Sequence, residues 1–352
     1  MARTARASVM VGERFEIREY PIPQPDPGTM VLRQELCGIC GTDLHNWEYQ
    51  RLEGEIVMGH ESVGIIDTLG EGIETDFVGN PIVPGDRVVL VPGTDMGAYG
   101  FLQAEEQPYL RGGFADYIYL WNPNTIVLKT ELPPEIAVII EPFTIGVHSV
   151  MRSGLKFGDT LVVQGSGPIG LLTLVCAKNA GAGRLIMVGG PPGRLELARR
   201  MGADLTIDIG DVKDPEERIR IVRENTPHSE GADIVFEAAG VLQAIPEGLE
   251  YVKRSGTYVE LGHFVDTGSF ECNPNQMLMR KNLRLEAVWG SAPEHFVRGL
   301  PVLERNDYPY SEVVSHILPL ERVADGFNAL RGSYMLDGKE TVKIAVRGGA
   351  RT

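Results

Sequence analysis

The stretch Leu161-Val162-Val163-Gln164-Gly165-Ser166-Gly167-Pro168-Ile169-Gly170 decides the fold. A short apolar strand runs into G-x-G-x-x-G, and helical spacing continues from Ile169 to Ala180. Strand, turn and helix in this order form a dinucleotide-binding turn. Gly165 permits the tight turn, Gly167 lets backbone approach a pyrophosphate, and Gly170 lets helix and strand pack closely. The phosphates then rest on the helix N-terminus, beside Ser166, Pro168 and Ile169. A glycine-rich turn with no ligand is the plain alternative.

The segments that follow favour the ligand. Strands at Leu185–Val188, Asp233–Glu237 and Thr257–Leu261 alternate with helical segments at Arg194–Met201 and Leu242–Lys253. Such alternation implies a parallel sheet covered on both faces. An NAD site usually carries an acid at the end of the second strand, for the ribose hydroxyls. Here that strand ends in Met187-Val188-Gly189-Gly190-Pro191-Pro192-Gly193-Arg194, and Gly189 takes the acid's place. A missing carboxylate removes a repulsion against a 2′-phosphate. Arg194 is placed either to hold that phosphate or to stack on adenine, so NAD and NADP both stay open.

Upstream the chain reads as β. Residues 9–20, 30–36, Gly59–Leu69, Arg87–Val91 and Phe114–Leu120 cluster strand formers, with turns at Pro21–Gly28 and Pro84–Asp86. Residues 92–113 read as a long loop or lobe. Past residue 290 come a helix at Glu294–Glu304, a strand at Val313–Leu318, a helix near Glu321–Leu330 and a last strand at Thr341–Val346. The 352 residues suit two domains better than one core.

The formal charge of −15 disfavours nucleic acid and anionic membrane surfaces as partners. No apolar run of about 18 residues or secretory pattern stands out, so a cytoplasmic address is the default expectation. Four cysteines, Cys37, Cys40, Cys176 and Cys272, are too sparse for a disulfide framework. The close pair Cys37-Gly38-Ile39-Cys40 invites a redox or a metal reading. It lacks the strand–CxxC–helix context of a thiol oxidoreductase, because a Gly-Thr-Asp turn follows Cys40.

Cys40, His60, Glu61 and Glu141 form a mixed thiolate, imidazole and carboxylate set that suits zinc. Catalytic zinc keeps about three protein ligands and an open position. Each residue also has a bland reading. Cys40 can be a small core residue, His60 a core histidine, and Glu141 an acid in the first turn of a helix.

The segments Gly38-Ile39-Cys40-Gly41-Thr42-Asp43-Leu44-His45, Gly59-His60-Glu61-Ser62-Val63-Gly64, Pro84-Gly85-Asp86-Arg87-Val88 and Val163–Gly170 occur in that order. Together they resemble the zinc-dependent medium-chain dehydrogenase/reductase family over nearly the whole chain. Glu141-Pro142 resembles the polyol (sorbitol-type) and threonine-type branches more than the liver-type alcohol dehydrogenases. The resemblance implies an α/β protein: a GroES-like β-rich catalytic domain from residues 1–143 and 289–352, and a Rossmann domain over 144–288. It implies Cys40 and His60 as zinc ligands, Glu141 as a third ligand that can act through water, and Glu61 as a glutamate that enters or leaves the zinc sphere. It implies Asp43 as the carboxylate that steadies the histidine, and Thr42 and His45 as a proton relay. Cys37 falls outside the ligand position and reads as a small strand residue.

Two departures matter. Many relatives carry a four-cysteine structural zinc in the lobe matching residues 92–113, which has no cysteine here. One catalytic zinc and no structural zinc is therefore expected, with the lobe packed through Tyr99, Phe101 and Tyr109. Sorbitol-type enzymes place an arginine near Ala287-Val288-Trp289-Gly290-Ser291, where none stands, and that counts against sorbitol itself. The expected reaction passes a hydride between a secondary alcohol or polyol, or the matching ketone, and NAD(P). The site is expected in a cleft between the domains, with Trp47, Tyr49 and Trp289 as possible substrate contacts. The alternatives are a metal-free quinone or enoyl reductase, or a non-catalytic zinc- or nucleotide-binding protein. A homodimer or homotetramer is expected, with Asn282–Val288 as the pairing edge.

Overall fold

The computed structural model describes residues 3–49, 51–52, 54–102 and 109–349. Two compact units divide the chain: Met1–Glu141 with Leu303–Arg305 and Tyr310–Thr352, and Pro142–Val302 with Asn306–Pro309.

The second unit carries a six-stranded, wholly parallel sheet. Its spatial order is Leu205–Asp208, Arg184–Gly189, Thr160–Gln164, Ala232–Glu237, Val252–Glu260 and Arg284–Ala287. In sequence terms this is 3-2-1-4-5-6, the doubly wound order of the Rossmann fold, which reverses between strands 1 and 4. Every residue of Thr160–Gln164 is buried, as a central parallel strand requires. Arg284–Ala287 lies at the edge of the sheet, as the sequence placed it.

The first unit is built on a seven-stranded, mainly antiparallel sheet. Its path runs Ile126–Lys129, Arg87–Val91, Glu61–Leu69, Met30–Gly38, Lys343–Arg347 and Val314–Pro319, and Tyr117–Leu120 also pairs with Met30–Gly38. This antiparallel sheet and the parallel one together make the GroES-like plus Rossmann α/β architecture. The strand formers over 9–20 belong to a hairpin, Thr4–Val11 and Arg14–Pro21, because Gly12 turns the chain at φ 58°. The stretch after Cys40, read as a turn, opens a helix, Gly41–Glu48. The sequence reading assigned everything from 289 to the β-rich domain. Helix Pro293–Glu304 instead groups mostly with the parallel sheet, and its His295 stacks on His148 at 4.4 Å.

The described residues of the lobe pack against the rest of their unit. Tyr99 is buried and its hydroxyl pairs with Thr125 Oγ1 at 2.6 Å. Phe101 lies against His60 and Tyr109 stacks on Tyr20, with ring centroids 5.0 Å apart in each pair. Residues 103–108 of the lobe lie outside the described residues.

Candidate metal centre and dinucleotide turn

The sheet register assembles the metal candidates. Strand Met30–Gly38 pairs antiparallel with Glu61–Leu69, and Gly38 sits opposite Glu61. His60 directly precedes one strand, and Cys40 follows the other by two residues as the N-cap of helix Gly41–Glu48. Ligand atoms of Cys40, His60 and Glu61 all lie within 4.8 Å of one another. Zinc bonds of roughly 2.0–2.3 Å call for ligand atoms within that limit of one another.

Asp43 ties two of the three together. Its Oδ2 accepts a hydrogen bond from the Cys40 backbone N–H at 2.9 Å, and its Oδ1 lies 3.3 Å from His60 Nδ1. Asp43 is fully buried. With Nδ1 turned to the carboxylate, Nε2 is the imidazole nitrogen left for a ligand, and the carboxylate raises its basicity. Asp43→Asn is therefore expected to weaken zinc binding about 10- to 100-fold with little change in fold. Competition with a chromogenic chelator measures it, and unchanged affinity would remove Asp43 from this role.

Glu61 is held from the far end of the chain. Lys343 opens the strand Lys343–Arg347, and its Nζ donates to Glu61 Oε1 at 2.6 Å and to the Ile39 carbonyl at 3.0 Å. Lys343 and Glu61 are 5% and 1% exposed. Burial works against the ammonium charge, but Glu61, Cys40 and Glu141 outweigh it and raise the Lys343 pKa. Glu61 Oε2 receives no hydrogen bond from the described residues. A Cβ at position 38 would come within 1.9 Å of it, so glycine is what leaves room for the carboxylate.

Glu141, in the first turn of helix Ile140–Ser153, lies outside the 4.8 Å grouping but within its field. Burial raises its pKa to about 7, with His60 opposing the rise and Glu61 adding to it. For His60, burial works against charge, yet Asp43 and Cys40 overcome it and raise its pKa well above the ordinary imidazole value. Lys343 thus lies in the field of Glu61, Cys40 and Glu141. A soft sulfur, an imidazole and an orphaned carboxylate oxygen fit a divalent zinc ion.

Thr42 Oγ1 lies 3.6 Å from Cys40 Sγ, and His45 follows one turn later on the same helix. The His45 ring stacks on Tyr49, with centroids 5.6 Å apart. Burial lowers its pKa, helped by Arg51 and opposed by Glu48. Cys37 is fully buried in its strand, and burial pushes its thiol far above the usual range. Trp47 proves to be core. It packs on Phe327 at 5.5 Å and donates to the Glu13 carbonyl at 3.0 Å. Tyr49 and Trp289 are exposed.

A second grouping, Glu237, Glu260 and His263, also brings its ligand atoms within 4.8 Å. It has no sulfur, and its carboxylates already serve the chain. Glu237 accepts from Ala239 and Gly240 N–H, and Glu260 from Gly262 and His263 N–H. These bonds fold the loops after two strands.

In the dinucleotide turn the three glycines do different work. Gly165 has φ 94°, and a Cβ there would lie 2.6 Å from Ala239 N. At Gly170 a Cβ would lie 1.8 Å from the Gly165 carbonyl oxygen. At Gly167, the N-cap of helix Pro168–Asn179, a Cβ would meet nothing within 4 Å, which leaves that face open to a phosphate. Ser166 Oγ donates to the Gly190 carbonyl at 2.8 Å and accepts from Gly190 N–H at 3.0 Å, which fixes the end of the second strand. Gly189 ends that strand, and Arg194 is 8% exposed in the first turn of the next helix.

A cysteine–histidine–glutamate centre on one unit and a Rossmann turn on the other define a zinc-binding oxidoreductase. The zinc-binding dehydrogenase family matches residues 168–305, and the alcohol dehydrogenase GroES-like domain matches residues 26–131. The 5-exo-hydroxycamphor dehydrogenase of Pseudomonas putida is 31% identical, over 94% of this chain and 97% of its own. Sorbitol dehydrogenase of Bacillus subtilis is also 31% identical, over 73% and 74%. The crystal structure of an alcohol dehydrogenase from Thermotoga maritima superposes with a TM-score of 0.90 at 27% identity, covering 98% of this chain and 100% of that one. The chain belongs to the zinc-containing medium-chain dehydrogenase/reductase family of alcohol dehydrogenases.

Proposed function

We propose that this protein transfers a hydride between a secondary alcohol or polyol, or the matching ketone, and NAD(P), with one catalytic zinc. The observation that carries the reading is the grouping of Cys40, His60 and Glu61 within 4.8 Å. Two relatives named for hydroxycamphor and sorbitol support the alcohol class.

Cys40 and His60 would hold the zinc, with Glu61 or Glu141 completing its sphere directly or through water. When bound, zinc supplies a Lewis acid for the alcohol or carbonyl oxygen, and the nicotinamide takes up or gives the hydride. The turn Gly165–Gly170 would seat the pyrophosphate, with Ser166, Pro168 and Ile169 lining it and Gly189 and Arg194 at the adenosine end. Thr42 and His45 would pass the alcohol proton toward solvent. His45 must be neutral to accept that proton, so activity falls as pH drops through its lowered pKa, below the ordinary imidazole range. His45→Gln is expected to remove this acidic limb and lower kcat by about 10²-fold. A pH–rate profile that keeps the limb in the variant would assign it to another group.

We also infer a homodimer or homotetramer that pairs through the edge strand Arg284–Ala287, where Leu285 is 53% exposed. No helix among the described residues is long and apolar enough to cross a membrane. With an acidic chain this supports a small-molecule substrate, no nucleic acid or membrane partner, and a cytoplasmic address.

A panel of polyols, cyclitols and simple secondary alcohols, each with NAD and NADP, tests the reading through nicotinamide absorbance. Reduced cofactor with at least one secondary alcohol is expected. Oxidation of reduced cofactor by quinones or enones alone, undiminished by chelator, would instead establish the metal-free reductase.

A further inference from the structure

The second strand of the Rossmann sheet has no room for the acid that usually selects NAD. A Cβ at Gly189 would lie 2.6 Å from Ser166 Oγ and 2.9 Å from Ser166 N, so the serine that clamps Gly190 fills the space of a side chain. A carboxylate nevertheless reaches the same place from the next strand. Asp208 ends the strand Leu205–Asp208 and pairs in register with Gly189. Its Oδ1 lies 3.4 Å from the Cβ position of Gly190, next to the backbone that would face the adenosine ribose.

The Asp208 carboxylate is available to a ligand. Oδ1 accepts from Gly210 N–H at 2.7 Å, which holds it at the end of the strand, and no described residue forms an ion pair with it. Asp208 is half-buried and lines a shallow cavity together with a second acid, Asp211, and with Arg199. Of the nearby arginines, Arg199 pairs with Glu196 at 2.8 Å, and Arg194 is 8% exposed and engaged within the protein.

We propose that Asp208 replaces the missing acid of the second strand and makes this chain select NAD over NADP. The inference rests on the dehydrogenase reading above and concerns the cofactor of that same site. The carboxylate accepts hydrogen bonds from the ribose hydroxyls of NAD, and it repels the 2′-phosphate of NADP. Neither effect needs an acid at position 189.

Direct titration of NADH and NADPH, followed by nicotinamide fluorescence without any alcohol, tests the proposal. The proteins are the wild type, Asp208→Ala and Asp208→Asn. The asparagine variant keeps an acceptor for Gly210 N–H and removes only the charge, and thermal melts check that both variants are folded. In the wild type NADH is expected to bind at least about tenfold tighter than NADPH, the size of one charge contact near a surface. In both variants NADH weakens, NADPH strengthens, and the ratio falls by roughly 10- to 100-fold. A ratio that stays put in folded variants, or a wild type that prefers NADPH, overturns the role of Asp208 and leaves the dehydrogenase reading standing. A wild type that binds neither dinucleotide overturns both.

Discussion

Replacing Cys40 by serine is expected to empty the metal centre and lower kcat/KM by about 10³-fold or more. A serine hydroxyl stays protonated near neutral pH and is a harder, weaker ligand than a thiolate. Zinc contributes several kcal/mol of stabilisation to charge that develops in the transition state, and each 1.36 kcal/mol is about tenfold in rate. Cys40 is also the N-cap of helix Gly41–Glu48, where Asp43 holds the backbone N–H at position 40 whichever side chain it carries. The variant should therefore fold. Elemental analysis is expected to give about one zinc per chain in the wild type and almost none in Cys40→Ser. Full zinc in the variant would remove Cys40 from the ligand set. About two zincs in the wild type would mean that a second site, such as a structural one, had been missed.

The largest expected effect on stability comes from Lys343. Its ammonium is the buried cation that holds Glu61, at 2.6 Å, and it also satisfies the Ile39 carbonyl. Lys343→Met leaves a buried carboxylate without its partner, and breaking such a pair costs about 3–5 kcal/mol. The double variant Lys343→Met/Glu61→Gln removes both charges and should recover most of that loss, because the two positions act as one unit. Denaturant unfolding of the single and double variants measures the coupling. Additive losses would mean that packing, rather than the ion pair, sets the cost.

How much of this was legible in the sequence depended on how local each signal was. The Rossmann turn is a contiguous run of ten residues, and Gly165 and Gly170 meet the steric demands expected of them. Cys40, His60 and Glu61 were visible as candidates, but only strand register brings them together, because Gly38 pairs with Glu61. Lys343 was missed. It acts across 282 residues of chain and looks like one position of an ordinary apolar strand. Helix Gly41–Glu48 was hidden because Gly41, Thr42 and Asp43 favour turns, and the capping role of Asp43 shows only when the helix is seen. Trp47 looked like a substrate contact because a single sequence does not say which helix face turns inward. Asp208 went unnoticed because the usual signal places the acid on the second strand, not the third.

Hydride transfer before and after removal of zinc tests the central claim most directly. Wild-type protein is dialysed against a strong chelator, its zinc content is measured, and reduction of NAD(P) by an accepted alcohol is followed before and after zinc is restored. Loss of activity in proportion to zinc, with recovery as about one zinc per chain returns, is the expected result. Activity that persists in zinc-free, folded protein would contradict the account.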